Sequence, residues 1–222
     1  MGQIIMEKLY PESKVELSGC FAKYYDIALN IATLGKYSSL INNVIDLLEI
    51  QSDDRILDLG AGTGRNACLM MKYLSEKGQV VGLDISTEMI SQFRKQCADF
   101  PNATIINARI DQALPIKQQF DKVFISFVLH GFPQSARISI LQNVFEALHV
   151  NGSLFILDYN EYSYNNAPFY LRTLFKLIEC PYAFDFIKRD WKRILGDRHF
   201  GEFKESLFFG NYLRLLKATK LP

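Results

Sequence analysis

The segment Asp58-Leu59-Gly60-Ala61-Gly62-Thr63-Gly64 carries the clearest chemical signal in the chain. It ends a short apolar run, Arg55 to Leu59, and opens a helical stretch at Arg65. Glycines there admit positive φ and let a ligand approach bare backbone. The helix start adds unpaired N–H groups. Two cofactors suit such a loop. One is a dinucleotide, because Gly62-x-Gly64-x-x-Ala67 satisfies the loose G-x-G-x-x-G/A pattern. The other is S-adenosylmethionine, which has no phosphate and carries an ammonium, a carboxylate, a sulfonium and an adenosine. Asp58 discriminates between them. A carboxylate two residues before the first glycine repels a diphosphate and attracts an ammonium, directly or through water.

A second acid, Asp84, stands 20 residues beyond Gly64 at the end of the next apolar run. A carboxylate there can accept both hydroxyls of a ribose; its alternative role is a turn or helix cap. Ile85 and Met89 follow and can pack on an adenine face. Arg109, Ile110 and Asp111 fall in the loop after a third strand. Asp111 can accept from an exocyclic amine, or a backbone N–H of Ile110 or Asp111 can meet a ring nitrogen. These are equally ordinary loop residues. Ser126 to His130 continue past a fourth strand. The His130 imidazole titrates near neutrality and can take a proton from a phenol or carbon acid, or simply cap the next segment. Asp158 and Tyr159 end a fifth strand on the same rim, within reach of an acceptor.

The elements that must position these groups alternate. Apolar positions at intervals of three and four predict a helix within Phe21 to Ile50. Strands are expected at Arg55–Leu59, Gln79–Leu83, Ala103–Asn107, Phe120–Phe127 and Gly152–Asp158. Helices are expected between them at Arg65–Glu76, at Thr87–Ala98 behind a Ser86 N-cap, and at Ser135–Leu148. This order implies a parallel sheet covered on both faces. Beyond Asp158, helices are expected at Phe169–Glu179 and Phe184–Leu195, then a hairpin of Lys204–Phe209 and Tyr212–Ala218 turning at Gly210-Asn211 and joining the same sheet. The expected architecture is one α/β domain. Residues 1–50 form a helical cap, 51–160 the cofactor-binding core, and 161–222 the substrate side.

Composition bounds the partners. The 222 residues include 25 Lys plus Arg and 24 Asp plus Glu, for a formal net charge of +1. The basic excess of a nucleic-acid binder is missing. Cys20, Cys68, Cys97 and Cys180 form no C-x-x-C pair, which argues against a zinc ribbon, a redox motif or a disulfide scaffold. Met1 to Lys14 has charges and no long apolar core, so no secretory leader is expected. No apolar run approaches a membrane span. A reducing cytoplasm is the expected setting. The aromatic residues Tyr162, Tyr164, Phe169, Tyr170, Phe175, Tyr182, Phe184 and Phe186 either wall an apolar pocket or pack as core. Lys188, Arg189, Lys192 and Arg193 read as a solvated face that Asp190 and Asp197 dilute.

Ile56 to Gly64, together with Val81-Gly82-Leu83-Asp84-Ile85-Ser86, resembles the class I S-adenosylmethionine-dependent methyltransferases. Ala113-Leu114-Pro115 before Phe120-Asp121, and Asn151-Gly152-Ser153-Leu154, resemble that family's later landmarks. The resemblance covers about residues 54 to 158. It implies a Rossmann-like, seven-stranded, mostly parallel sheet whose last strand runs antiparallel. It also implies S-adenosylmethionine as cofactor and S-adenosylhomocysteine as product. Asp58, Gly60, Ala61, Gly62, Thr63, Gly64, Asp84, Ile85, Met89, Ile110, Asp111 and Ser126 would then line the cofactor. The N-terminal helical region closes over the cofactor in related enzymes, which makes Tyr25 a candidate; Tyr24 stands beside it.

Within the family the chain looks most like the ubiquinone and menaquinone biosynthesis methyltransferases. It departs from them at three points. His130 stands where they usually carry Arg, the stretch Asn107 to Asp111 holds an extra residue, and the tail lacks their acidic-tyrosine stretch. The reaction expected is methyl transfer to a small, apolar, quinone-like or lipid-like acceptor, with His130 as the catalytic candidate and no metal. Peripheral membrane contact is allowed. The alternatives are a non-catalytic S-adenosylmethionine-binding partner subunit and an NAD(P)-dependent oxidoreductase. A nucleic-acid methyltransferase is disfavoured by charge and by the lack of an Asn/Asp-Pro-Pro-Tyr/Phe motif.

Overall fold

The computed structural model describes Ser13 and residues 35–222. The expected cap helix is therefore seen only from Lys36, and Tyr24 and Tyr25 lie outside the described residues. Helix α1 spans Lys36–Leu47 and buries Tyr37, Leu40, Ile41, Val44 and Ile45, the three-and-four spacing of a one-sided helix.

Seven strands form one sheet: β1 (Arg55–Leu59), β2 (Gln79–Asp84), β3 (Ala103–Asn107), β4 (Phe120–Ser126), β5 (Leu148–Tyr159), β6 (Phe200–Phe208) and β7 (Leu213–Lys220). Their order across the sheet is β3-β2-β1-β4-β5-β7-β6. The first five pair in parallel. The last strand, β7, runs antiparallel to β5 on one side and β6 on the other. This is the Rossmann-like arrangement the resemblance implied.

Helices cover both faces, because parallel strands need crossovers and leave no face for water. Helices α2 (Arg65–Met70), α3 (Thr87–Gln96), α4 (Gln134–Ala147), α5 (Phe169–Ile178), α6 (Pro181–Phe186) and α7 (Trp191–Gly196) follow α1. The sheet's alternation sorts β1 between two cores. Ile56 joins Phe124, Phe155 and the α1 residues on one face. Leu57 and Leu59 join Val123, Ile140 and Trp191 on the other. Asp58, between Leu57 and Leu59, points to the α1 side.

Several elements differ from their sequence limits. The stretch after Arg65 leaves α-geometry at Met70 and ends in a 3-10 turn at Met71–Tyr73. The helix expected over Phe184–Leu195 is two helices. Asp190 is extended there, and its carboxylate accepts from the Arg193 N–H as an N-cap, while the Glu161 carboxylate accepts from the Trp191 N–H at 2.9 Å. A local capping residue thus overrides the longer apolar period. Strand β6 begins at Phe200 rather than Lys204. The cysteines also depart from expectation. Cys68 of α2 and Cys97, which caps α3, are joined as a disulfide with Cα atoms 5.6 Å apart. The fold brings together two residues 29 apart that no sequence motif pairs. Cys180 is free and buried.

Candidate active site

The carboxyl ends of β1, β2, β4 and β5 present the candidate residues on one rim. At the end of β1, Asp58 is 1% exposed. Its Oδ2 has no hydrogen-bond partner among the described residues. Burial, reinforced by the nearby charge of Asp84, pushes its pKa up to about 7. A buried carboxylate oxygen without a donor is costly, so the site is built to be completed by something cationic or N–H-bearing.

The loop after it is tightly folded. Gly60 has φ +76°, and a Cβ there would lie 2.5 Å from Val128 Cγ2. Only glycine satisfies both the angle and the space. The loop amides are already engaged. The N–H groups of Gly60 and Ala61 donate to the Leu83 carbonyl at 2.9 and 3.0 Å, and that of Gly64 donates to Ala61 at 3.1 Å. The Gly62 N–H donates to Asp84 Oδ2 at 2.9 Å. A diphosphate needs free N–H groups and a positive field; here four amides are occupied and two carboxylates stand beside them.

Asp84 takes the turn role that its position allowed. Its Oδ1 accepts from the Ser86 N–H at 2.9 Å, closing the turn into α3. Burial raises its pKa against the pull of those backbone N–H donors. Each oxygen takes one of these bonds, and a carboxylate offers about four acceptor positions, so capacity for hydroxyl donors remains. Ser86 caps α3 as expected, accepting from Met89 N at 3.3 Å. Met89 is buried and Ile85 half-buried beside Asp84. Thr63 is buried in the loop.

Ile110 is buried in the core, its carbonyl accepting from Asn143 at 2.8 Å. Asp111 holds the Arg109 guanidinium through two bonds, 3.0 and 2.8 Å. Its carboxylate is thus engaged internally. Ser126 ends β4 half-buried. Immediately after it Phe127 takes φ +54° and its N–H donates to the Leu157 carbonyl, which turns the chain off the sheet toward Val128 and Gly60.

His130 follows in the short turn Leu129–Gly131 and is 7% exposed. Its Nδ1 lies 2.8 Å from Asp158 Oδ1, and its Nε2 lies 3.4 Å from Glu179 Oε2. Asp158 also accepts from the His130 backbone N–H at 3.2 Å and the Tyr159 N–H at 2.8 Å. The Tyr159 hydroxyl donates to Glu179 Oε1 at 2.7 Å. Burial opposes the imidazolium, but Asp158 and Glu179 together prevail and raise the His130 pKa. Burial and the Glu179 charge raise Tyr159 well above the ordinary phenol range. Asp158 and Tyr159 therefore meet His130 as well as the rim.

Arg137 of α4 fixes this turn. It is fully buried and donates to the carbonyls of Leu129 (3.0 Å), His130 (3.3 Å) and Tyr182 (2.6 Å). Asp185 balances its charge at 2.7 Å. Sequence reading missed Arg137 and Glu179. An arginine on the apolar face of α4 was the available signal for the first; the second carried none. It also missed Tyr37, whose ring lies 6.4 Å from Phe127 and under Arg65 at 5.0 Å.

The aromatic set divides. Tyr162, Tyr164, Phe175 and Phe184 form a chain of ring contacts with Tyr159 and Tyr212, and Phe186 stacks on Trp191. They are core that backs the His130 cluster. Phe169 and Tyr170 instead face outward, 80% and 65% exposed. Of the basic cluster, Arg189 pairs with Asp185 and Lys192 with Glu205, as a solvated face requires.

A family model described as a methyltransferase domain matches residues 50–198. The chain belongs to that methyltransferase family. The family's cofactor, S-adenosylmethionine, fits the rim: the orphaned Asp58 oxygen, the engaged amides and Asp84 suit an amino-acid tail and a ribose and do not suit a diphosphate. The chain is 31% identical over 142 residues to a ubiquinone/menaquinone biosynthesis C-methyltransferase of Wigglesworthia glossinidia brevipalpis, covering 62% of this chain and 55% of that protein. It spans about half the length of the curated relatives it matches. A solved S-adenosylmethionine-dependent methyltransferase from Aquifex aeolicus shares the fold, with TM-score 0.60 and 18% identity over 82% of this chain and 89% of that one. Human N-acetylserotonin methyltransferase, solved in complex with S-adenosylmethionine, does so with TM-score 0.65 and 16% identity over 87% of this chain and 55% of that one.

Proposed function

We propose that the protein transfers a methyl group from S-adenosylmethionine to a small, apolar acceptor of quinone-like, phenolic or lipid-like character. The observation that carries the cofactor half is the partnerless buried oxygen of Asp58 beside a loop whose amides are occupied. S-adenosylmethionine, when bound, supplies a methyl group already activated by its sulfonium. Asp58 binds the ammonium and Asp84 the ribose. Thr63, the glycine loop, Ile85, Met89, Ile110, Asp111 and Ser126 line the remainder.

The acceptor half rests on His130 and on the aromatic residues behind it. Asp158 holds Nδ1 and orients the ring, and Glu179 lies beside Nε2. His130 takes the proton of a phenol or an acidic carbon at Nε2, and Glu179 steadies the imidazolium that results. Placement of two reactants in a dry site supplies much of the remaining acceleration. The sequence relatives are C-methyltransferases of ubiquinone and menaquinone biosynthesis, which supports a quinone precursor as first acceptor to try. The chain is read as one domain: cap 1–50, cofactor core 51–160 and acceptor side 161–222. Its setting is read as cytoplasmic; no helix among the described residues is long and apolar enough to cross a membrane.

The test is label transfer from methyl-labelled S-adenosylmethionine to demethylated quinols and substituted phenols, with calorimetric titration of the cofactor alongside. Saturable binding with transfer to an apolar acceptor is expected. Binding with no transfer to any acceptor in a cell extract would make the protein a cofactor-binding subunit. Binding of a nicotinamide dinucleotide in its place would overturn the reading.

A further inference from the structure

Helix α5 runs Phe169-Tyr170-Leu171-Arg172-Thr173-Leu174-Phe175-Lys176-Leu177-Ile178. Of these side chains only Phe175 is buried, and it anchors the helix against Tyr159 and Tyr162 at 4.9 and 6.2 Å. Phe169, Tyr170 and Leu174 are 80%, 65% and 51% exposed. At 3.6 residues per turn these three fall within one arc of about 140°. Soluble proteins seldom turn a contiguous apolar stripe to water without a use for it.

The charge on the helix has one sign. Arg172 and Lys176 sit one turn apart, beside the edge of the stripe at Phe169, and both are exposed. The helix contains no Asp or Glu. The acid that follows, Glu179, is turned inward to Tyr159 and His130. Arg172 lies over the Tyr164 ring at 5.7 Å, so aromatic contact holds its guanidinium by the helix. The β6–β7 turn lies on the same rim: the Asn160 N–H, just past β5, donates to the Tyr212 carbonyl, and Tyr162 bridges the rings of Phe175 and Tyr212. Phe209 on that turn is 44% exposed.

An apolar stripe bordered on one side by two cations, with no acid in the helix, is the pattern of a helix that lies in a membrane interface, its apolar side among acyl chains and its cations at the headgroups. We propose that α5, with Phe169, Tyr170 and Leu174 inserted and Arg172 and Lys176 on anionic headgroups, docks the protein on an anionic lipid surface. A protein partner would also cover apolar surface, but a cationic border with no acid in the helix favours an anionic plane. The inference deepens the reading of an apolar acceptor, because the ring contacts of Phe175 and Tyr159 join this face to His130. Its test needs neither cofactor nor acceptor.

The full chain is floated with vesicles of phosphatidylcholine alone and with about one third phosphatidylglycerol. The expected result is flotation with the anionic vesicles and at least several-fold less with the neutral ones, weakening as salt is raised. Phe169→Glu with Leu174→Glu should abolish flotation, and Arg172→Gln with Lys176→Gln should remove the anionic preference. All four positions are exposed, and an unchanged melting temperature will show that each variant is folded. No flotation of the parent chain, or equal flotation of the glutamate variant, overturns the proposal. Equal binding to both vesicle types overturns the role of the two cations. A concentration-dependent dimer that the glutamate substitutions dissociate, with no vesicle binding, assigns the face to a second copy. S-adenosylmethionine titration of the same samples separates this proposal from the catalytic one, since the substituted positions are not cofactor ligands.

Discussion

At the scale of single residues, Asp58 sets the behaviour of the cofactor end. Its carboxyl is held near 7 by burial, against 3.8 in an unfolded chain. The sign follows directly: the fold favours the protonated acid, so the free protein loses stability as pH rises from about 4 through about 7. An ammonium ligand favours the carboxylate instead. Cofactor affinity should therefore rise through the same window, with a proton released on binding near pH 6.5. Titration calorimetry in buffers of different ionisation enthalpy measures that proton. Asp58→Asn keeps the shape and removes the charge. It should raise the melting temperature of the free protein at pH 8 and weaken cofactor binding by about 1.5–3 kcal/mol, the range for a hydrogen bond to a charged group.

His130 has the same sign for a different reason, since carboxylate partners rather than burial raise it. Its pKa is raised, so its contribution to stability is complete below about 6.5 and is lost as pH climbs through the folded value. A base with a raised pKa works only on the alkaline side. The acid limb of the rate profile should accordingly lie above 6.5. His130→Ala should lower turnover by about 10²–10⁴-fold while leaving the calorimetric cofactor affinity within a factor of three. Retention of full turnover across the pH range would remove His130 from the chemistry.

At the scale of elements, the turn that carries His130 is held from outside itself. Arg137 reaches from α4 to the carbonyls of Leu129 and His130 and on to Tyr182 and Asp185 of α6. Replacing it by Met leaves those carbonyls without their donor, while the half-exposed Asp185 keeps Arg189. Arg137→Met should cost about 1–3 kcal/mol by chemical denaturation, the range for leaving a buried acceptor unsatisfied.

The same elements show what was legible beforehand. Strands β1 and β2, the glycine loop, Asp84 and the Ser86 cap were readable because each depends on residues within a few positions. A parallel sheet covered on both faces followed from the alternation of strand and helix. Glu179 and Arg137 were not readable as site residues, because their partners lie 49 and 45 or 48 positions away in sequence and no periodicity encodes such a distance. The split of α6 from α7 escaped because the aromatic pattern runs on through Asp190, where a single capping carboxylate decides the geometry. The Asp111 carboxylate, one of two groups that could meet the adenine edge, is held by Arg109 two residues away.

At the scale of the molecule, the disulfide ties the two helices that flank the glycine loop. Closing 29 residues restricts the unfolded chain by about 3.6 kcal/mol in the entropic account. Reduction should therefore lower the melting temperature by roughly 7–14 °C for a protein of this size. Scanning calorimetry with and without reductant checks it. Cys68→Ser should melt with the reduced protein and be indifferent to reductant.

The position of β7 has a consequence for how the chain is made. Strand β6 precedes it in synthesis yet reaches the sheet only through it, since β7 is hydrogen-bonded to β5 on one edge and β6 on the other. While β7 is still inside the ribosome, a growing polypeptide exposes the bare edge of β5 and a strand with nothing to pair. Closure of this edge therefore waits for β7 to emerge, and until then the unpaired strand and the bare edge are open to other chains.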